Sequence, residues 1–172
     1  VVWGRYFFMA LLSLVITFLF FRQHLKWPNN FPIQLIRSFF LFLSTIFFFY
    51  AISIISLSEA LTLMFVYPVI ATILSSIILK EKVGPRRWVA VIIGFIGVLF
   101  VIRPGFNEIN LATIMALGTG VCYAFYIIST RKLSSIDNPL MTLIFTGLSG
   151  AIAISLIVPF FWSWMSITEW IL

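Results

Sequence analysis

Long apolar runs separated by short charged loops make up this chain. Six runs approach or reach the roughly 20 residues that a helix needs to cross a bilayer core. They cover 6–21, 38–58, 60–79, 88–102, 111–130 and 140–161. The runs are continuously apolar and do not alternate with period two, which favours helices over the strands of a membrane barrel. No charge occurs from Ser38 to Ser58 or from Ala60 to Leu79, and Glu59 stands alone between them. A second acid, Glu81, follows 22 residues later. At 1.5 Å per helical residue that is roughly 33 Å, so the two acids can sit at opposite interfaces. The pattern predicts an all-α polytopic membrane protein with about six transmembrane helices.

Turn residues punctuate the runs where this reading needs them. WPNNFP (27–32), KVGPRR (82–87) and RPGFNEIN (103–110) carry the Pro and Gly that interrupt helices. SSIDNP (134–139) leads into the last run through Asp137 and Asn138, both residue types that cap helix N-termini. Pro68 lies inside the third run, where it removes a backbone hydrogen bond and kinks the helix. Broken helices often line the solute path of transporters. Gly94-x-x-Gly97, Gly118-x-Gly120 and Gly147-x-x-Gly150 read first as places where helices approach closely.

Composition sharpens the picture. Of 172 residues, 62% are hydrophobic and 9% charged, more apolar side chain than a soluble domain of this size can hide. The net charge of +6 does not indicate nucleic acid, because the basic residues sit between spans. The segments 22–37, 80–87 and 131–137 hold nine Lys and Arg, whereas the opposite side holds Arg5 and Arg103. The positive-inside rule makes the first three cytoplasmic and places Glu59 outside and Glu81 inside. Trp27 and Trp88 fall at the inner boundary, and Trp3, Trp162, Trp164 and Trp170 at the outer one, an aromatic belt that carries no substrate information. One cysteine, Cys122, and one histidine, His24, exclude an internal disulfide and a clustered metal site, so no metal or cofactor is expected.

Nothing in the pattern supports catalysis, and the chain does not read as an enzyme. The acids Glu59, Glu81, Glu108, Asp137 and Glu169 are scattered over both faces. What remains is polar and aromatic side chain inside the apolar runs: Tyr50 and Ser53 in the second, Thr62 and Tyr67 in the third, Tyr123 and Tyr126 in the fifth. A tyrosine hydroxyl in lipid needs a partner, which turns it towards the bundle interior or a wet cavity. These residues therefore serve either interhelical hydrogen bonds or a substrate cavity with aromatic walls. Arg5 either snorkels to the interface or faces that cavity. Arg37 opens the second run on the side where Glu81 closes the third, so an ion pair between them is expected, structural or part of an inner gate. Glu59 is most simply a helix-end residue, with proton coupling as a minor alternative.

The ordered set Arg5, RSFF (37–40) and the block SLSEALTLMFVYPVIATILSSIILKEKVGPRRWVAVIIGFIGVLFVIRPG (56–105) resembles the EamA domain of the drug/metabolite transporter superfamily. It is most similar to the branch that includes bacterial S-adenosylmethionine uptake transporters. The resemblance implies a ten-helix bundle of two inverted five-helix repeats and alternating access without ATP hydrolysis. On that pattern residues 1–105 are most of the first repeat, helices two to five, and 106–172 open the second with helices six and seven. The chain, which begins at Val1 and ends at Leu172, then reads as an internal piece of a longer protein. The implied cavity is lined by helices three, four and six, carrying Tyr50, Tyr67 and Tyr123, with Pro68 between them in the chain. The expected function is secondary transport of a small metabolite across a bacterial inner membrane: S-adenosylmethionine, an amino acid or a nucleotide-like compound. The expected partners are that small-molecule substrate and the lipid bilayer, not nucleic acid; a homo-oligomer is compatible with the sequence. The alternative is a structural or assembly membrane protein with no transport cycle.

Overall fold

The computed structural model describes residues 2–20, 28–102, 110–134 and 136–161, and these form helices with no strand among them. In chain order they are α1 (Val2–Phe20), α2 (Phe31–Ile52), α3 (Leu57–Met64), α4 (Tyr67–Ile78), α5 (Pro85–Ile102), α6 (Leu111–Leu133) and α7 (Pro139–Phe161). Among the described residues four apolar stretches are long enough to cross a membrane: Phe31–Ile52, Leu57–Ile78, Leu111–Leu133 and Pro139–Ile157. A shorter apolar helix covers Trp3–Leu19. The chain is an integral, multi-pass membrane protein.

Local chemistry sets the helix ends, and in two places it corrects the boundaries expected from the apolar runs. α2 begins at Phe31, not near Ser38, because Pro32 fits the first turn, where no amide partner is needed. Arg37 therefore lies inside the helix and does not open it. The second run also ends early, at Ile52, where Ser53 caps the helix. Ser56 starts a new helix: its Oγ accepts the Glu59 amide at 3.3 Å. Glu59 thus sits in the first turn of α3, where its charge complements the helix dipole.

The third run is one span, and the break expected at Pro68 divides it into two helices. Pro68 has no amide to give the Met64 carbonyl, and α3 stops at Met64. The chain tightens, with the Val66 amide bonding Leu63 O at 3.2 Å, and α4 resumes at Tyr67. The turn presses directly on α6. A Cβ added at Gly120 would lie 2.7 Å from Met64 O and 2.6 Å from Val66 Cγ1, so only glycine admits the turn there.

Two antiparallel pairs organise the bundle. α2 lies along α6, with Phe40 stacked on Phe125 at 4.8 Å and Ser44 Oγ donating to Thr119 O at 3.2 Å. α1 lies along α7: Trp3 Nε1 donates to Ser155 Oγ at 3.0 Å, the Tyr6 ring covers Gly150 and Ala10 covers Gly147. A Cβ at Gly150 would fall 2.2 Å from the Tyr6 ring, so Gly147-x-x-Gly150 is a packing motif. At Gly94 and Gly97 an added Cβ would meet nothing within 4 Å among the described residues. Asn138 caps α7 as its type suggested, its Oδ1 accepting the Leu140 amide at 3.0 Å.

The basic loops gather at one end. The Asn29 amide donates to Asp137 Oδ1 at 2.9 Å, and Arg131 Nη1 lies 3.1 Å from Glu81 Oε2. The segments beginning at 28, 80 and 131 therefore share a face. Residues Arg22, His24, Lys26, Trp27, Arg103, Glu108, Trp162, Trp164, Glu169 and Trp170 lie outside the described residues.

Candidate functional site

A polar stripe on α2 faces α6 and α7. Gln34, Arg37, Ser38, Leu41, Ser44 and Thr45 are all buried, and the spacing of three and four residues puts them on one side of the helix. Arg37, 2% exposed, is six residues past the helix start, roughly 9 Å along its axis. Its Nε donates to Thr130 Oγ1 at 2.6 Å, Nη1 to Thr146 Oγ1 and to Thr142 O at 3.2 Å, and Nη2 to Tyr126 OH at 3.2 Å. The guanidinium also lies 4.8 Å from the centre of the Tyr126 ring. Gln34 Nε2 reaches Thr142 Oγ1 at 3.2 Å and Asp137 Oδ2 at 3.1 Å. A connected polar network thus runs from the loop at Asp137 into the bundle.

Aromatic rings extend that network. Tyr126 lies 5.5 Å from Tyr123, and Tyr123 meets Tyr67 edge to face at 5.0 Å. All three are half-buried. Tyr67 is the first residue of α4, so the helix break delivers it to the α6 tyrosines. The result is a continuous wall: Tyr67 at the break, Tyr123 and Tyr126 along α6, and Arg37 at the end.

A cavity of about 520 Å³ opens on another side of the break, between α4, α5 and α6. Pro68, Thr72, Ser75 and Gly94 line it, with Arg87 and Arg131. The Thr72 hydroxyl donates to Pro68 O at 2.7 Å and that of Ser75 to Thr72 O at 2.9 Å, so both are committed to their own helix. The walls therefore act as apolar surface, and the two arginines supply the polarity. The volume falls in the range of small-molecule sites.

The expected residues divide between these places. Tyr67, Tyr123 and Tyr126 come together, and Pro68 borders the cavity. Tyr50 does not join them: it is 43% exposed, with no ring contact to the others among the described residues. Ser53 spends its hydroxyl on Tyr50 O at 2.7 Å, and Thr62 spends its own on Ser58 O at 2.8 Å. Arg5 is exposed, 5.9 Å from the centre of the Tyr6 ring. The expected Arg37–Glu81 pair does not form. Glu81 pairs with Arg131, because α4 ends beside the C-terminal end of α6, while Arg37 is held deeper by α6 and α7. Sequence reasoning also missed Tyr6, fully buried with its hydroxyl 3.1 Å from Thr45 Oγ1, and the Gln34–Asp137 link.

These features define a helical membrane protein with a broken span, a buried cation and a small-molecule-sized cavity. The model of the EamA-like transporter family matches residues 1–103, and the chain belongs to that family, one of transporters rather than enzymes. It is 40% identical to a riboflavin transporter of Vibrio cholerae over 81 residues, 47% of this chain and 27% of that protein. It is 24% identical to an S-adenosylmethionine uptake transporter of Rickettsia prowazekii over 144 residues, 84% of this chain and 49% of that protein. A riboflavin transporter of Rhizobium johnstonii is 24% identical over 102 residues, 56% of this chain and 34% of that protein. The chain spans about half the length, or less, of these curated relatives. No solved structure matches it.

Proposed function

We propose that the chain is the central part of a secondary transporter that carries a small metabolite across a bacterial inner membrane by alternating access. The observation that carries this reading is the wall of Tyr67, Tyr123 and Tyr126 ending on buried Arg37. Intramembrane charge is costly and usually marks a solute or ion pathway. The cavity beside the Pro68 break adds an apolar space with cations at its rim. The two-repeat organisation, 1–105 and 106–172, fits the α1–α7 pairing: helices two and seven would hold equal places in two inverted repeats, and these two run antiparallel in contact. Glu81 and Arg131 join α4 to α6 beside the cavity, which suits an inner gate. Glu59 is accounted for as a first-turn residue of α3 without a coupling role.

The solute falls within the range of the relatives: a molecule with a ring system, such as S-adenosylmethionine or riboflavin. The test uses the full-length protein in proteoliposomes with radiolabelled forms of both. Saturable uptake that is lost in a folded Tyr67→Ala variant supports the reading. A protein that takes up neither compound, nor any member of a panel of amino acids and nucleosides, is instead the structural or assembly component.

A further inference from the structure

Arg37 carries more charge and more donors than its neighbours satisfy. A guanidinium has five N–H groups and keeps its proton in proteins. Thr130, Thr142, Thr146 and Tyr126 take four of them, which leaves one N–H on Nη2 without an acceptor among the described residues. All four partners are neutral oxygens. Among the described residues no carboxylate pairs with Arg37; Glu81 pairs with Arg131 instead. Asp137 reaches Arg37 only through Gln34 and Thr142, and its own oxygens already accept from Asn29 and Gln34. A buried cation is expensive when its charge is uncompensated. If the only task were to tie three helices together, a neutral donor could hold the same hydroxyls at lower cost.

The same helix holds further unmet capacity. Gln34 Oε1 and Ser38 Oγ are buried without a hydrogen-bond partner among the described residues. Gln34 is fully buried and Ser38 nearly so. Covering the guanidinium is Tyr126, whose half-buried ring stands between Arg37 and Tyr123.

We propose that Arg37 anchors a compact anionic group, a carboxylate or a phosphate, on a solute whose ring system lies along Tyr126, Tyr123 and Tyr67. The planar fork of arginine suits both anions. Tyr126 serves as the cover of the site, holding Nη2 while it is empty and stacking on the solute when it is filled. This inference rests on the transporter reading for its solute but not for the anion site itself.

The experiment measures competition binding to the detergent-solubilised full-length protein with two matched pairs. One pair is S-adenosylmethionine and its decarboxylated form; the other is riboflavin 5′-phosphate and riboflavin. In at least one pair the anionic member should bind about tenfold or more tightly, the range of a hydrogen bond to a charged group. Arg37→Gln should bring that ratio to within about twofold of unity, and Arg37→Lys, which keeps the charge and loses the fork, should fall between. Tyr126→Phe frees a second N–H and should raise the ratio about threefold; it carries the test if neither Arg37 variant folds. A wild type that does not discriminate within either pair, a folded Arg37→Gln protein with the wild-type ratio, or an unchanged ratio in Tyr126→Phe overturns the proposal. Uptake into proteoliposomes separates the two readings. Arg37-dependent discrimination without uptake keeps the anion site and removes the transporter. Uptake without Arg37-dependent discrimination does the reverse.

Discussion

Gly118 and Gly120 offer a controlled perturbation, because they share one helix and differ in what faces them. Replacing either by Ala gains about 1 kcal/mol of helix propensity. At Gly120 the new methyl would lie 2.7 Å from the Met64 carbonyl and 2.6 Å from Val66 Cγ1. Ordinary contact starts near 3.4 Å, so the α3–α4 turn must retreat by most of an ångström. That turn is backbone and cannot rotate away. Overpacking of this kind costs about 1–3 kcal/mol, with the upper end expected where backbone must move. Net destabilisation of about 2 kcal/mol follows for Gly120→Ala. At Gly118 the methyl would meet only the Phe47 ring, at 3.1 and 3.3 Å, and a half-buried ring can yield a few tenths of an ångström. Gly118→Ala should stay within about 0.5 kcal/mol of the parent. Buried Cys122 provides the assay, since a thiol-reactive fluorophore labels it only when α6 opens; any other cysteine in the full-length protein is replaced by serine. Melting midpoints of the two variants should differ by about 4–8 °C. Equal midpoints, or a more stable Gly120→Ala, would refute the claim that glycine is needed to seat the broken span.

The other predictions concern the break, a cap and the ion pair. Pro68→Ala supplies the amide that Met64 O lacks, so α3 and α4 should fuse without loss of stability while uptake falls about tenfold or more; undiminished uptake would make the break a passive feature. Ser56→Ala removes the acceptor for the Glu59 amide and should cost about 1 kcal/mol in thermal unfolding, and no change would argue against Ser56 as the α3 cap. A double-mutant cycle between Glu81 and Arg131, both partly exposed, should give a coupling of about 0.2–1 kcal/mol, whereas Glu81 and Arg37 should give none. Coupling to Arg37 as strong as that to Arg131 would return the pair to its sequence-based assignment.

Most of the architecture was legible because lipid leaves the backbone few choices. With no water to satisfy amides and carbonyls, each long apolar run had to be helical, and the Lys and Arg bias fixed which loops share an end. What the apolar runs obscured was where helices start and stop. A run ends at a charge, but a helix ends at a cap. Pro32, in the first turn, starts α2 a full turn and more before the apolar run, and Ser53 and Ser56 divide α2 from α3 inside it. Pro68 was visible as a kink; that the broken turn seats against Gly120 is a contact across helices that no local pattern contains.

The site was half legible for the same reason. Tyr67, Tyr123 and Tyr126 were singled out because a hydroxyl in lipid needs a partner, and they do come together, through ring contacts, with only the Tyr126 hydroxyl bonded to Arg37. Tyr50 is instead exposed, at the end of α2 and away from the wall. Arg37 was misplaced by six residues of helix, and that error produced the wrong partner: at a span's mouth it faces Glu81, but in the second turn it faces Thr130 and Thr146. The signal that could have placed it correctly was present. Gln34, Arg37, Leu41, Ser44 and Thr45 repeat every three or four residues, the period of one helix face, and all of them are buried. A polar stripe of that kind in a membrane helix has to point at protein. Read from the WPNNFP helix start, it takes the only strong charge in α2 into the bundle, where its partners must be the hydroxyls of other helices or an anion brought from outside.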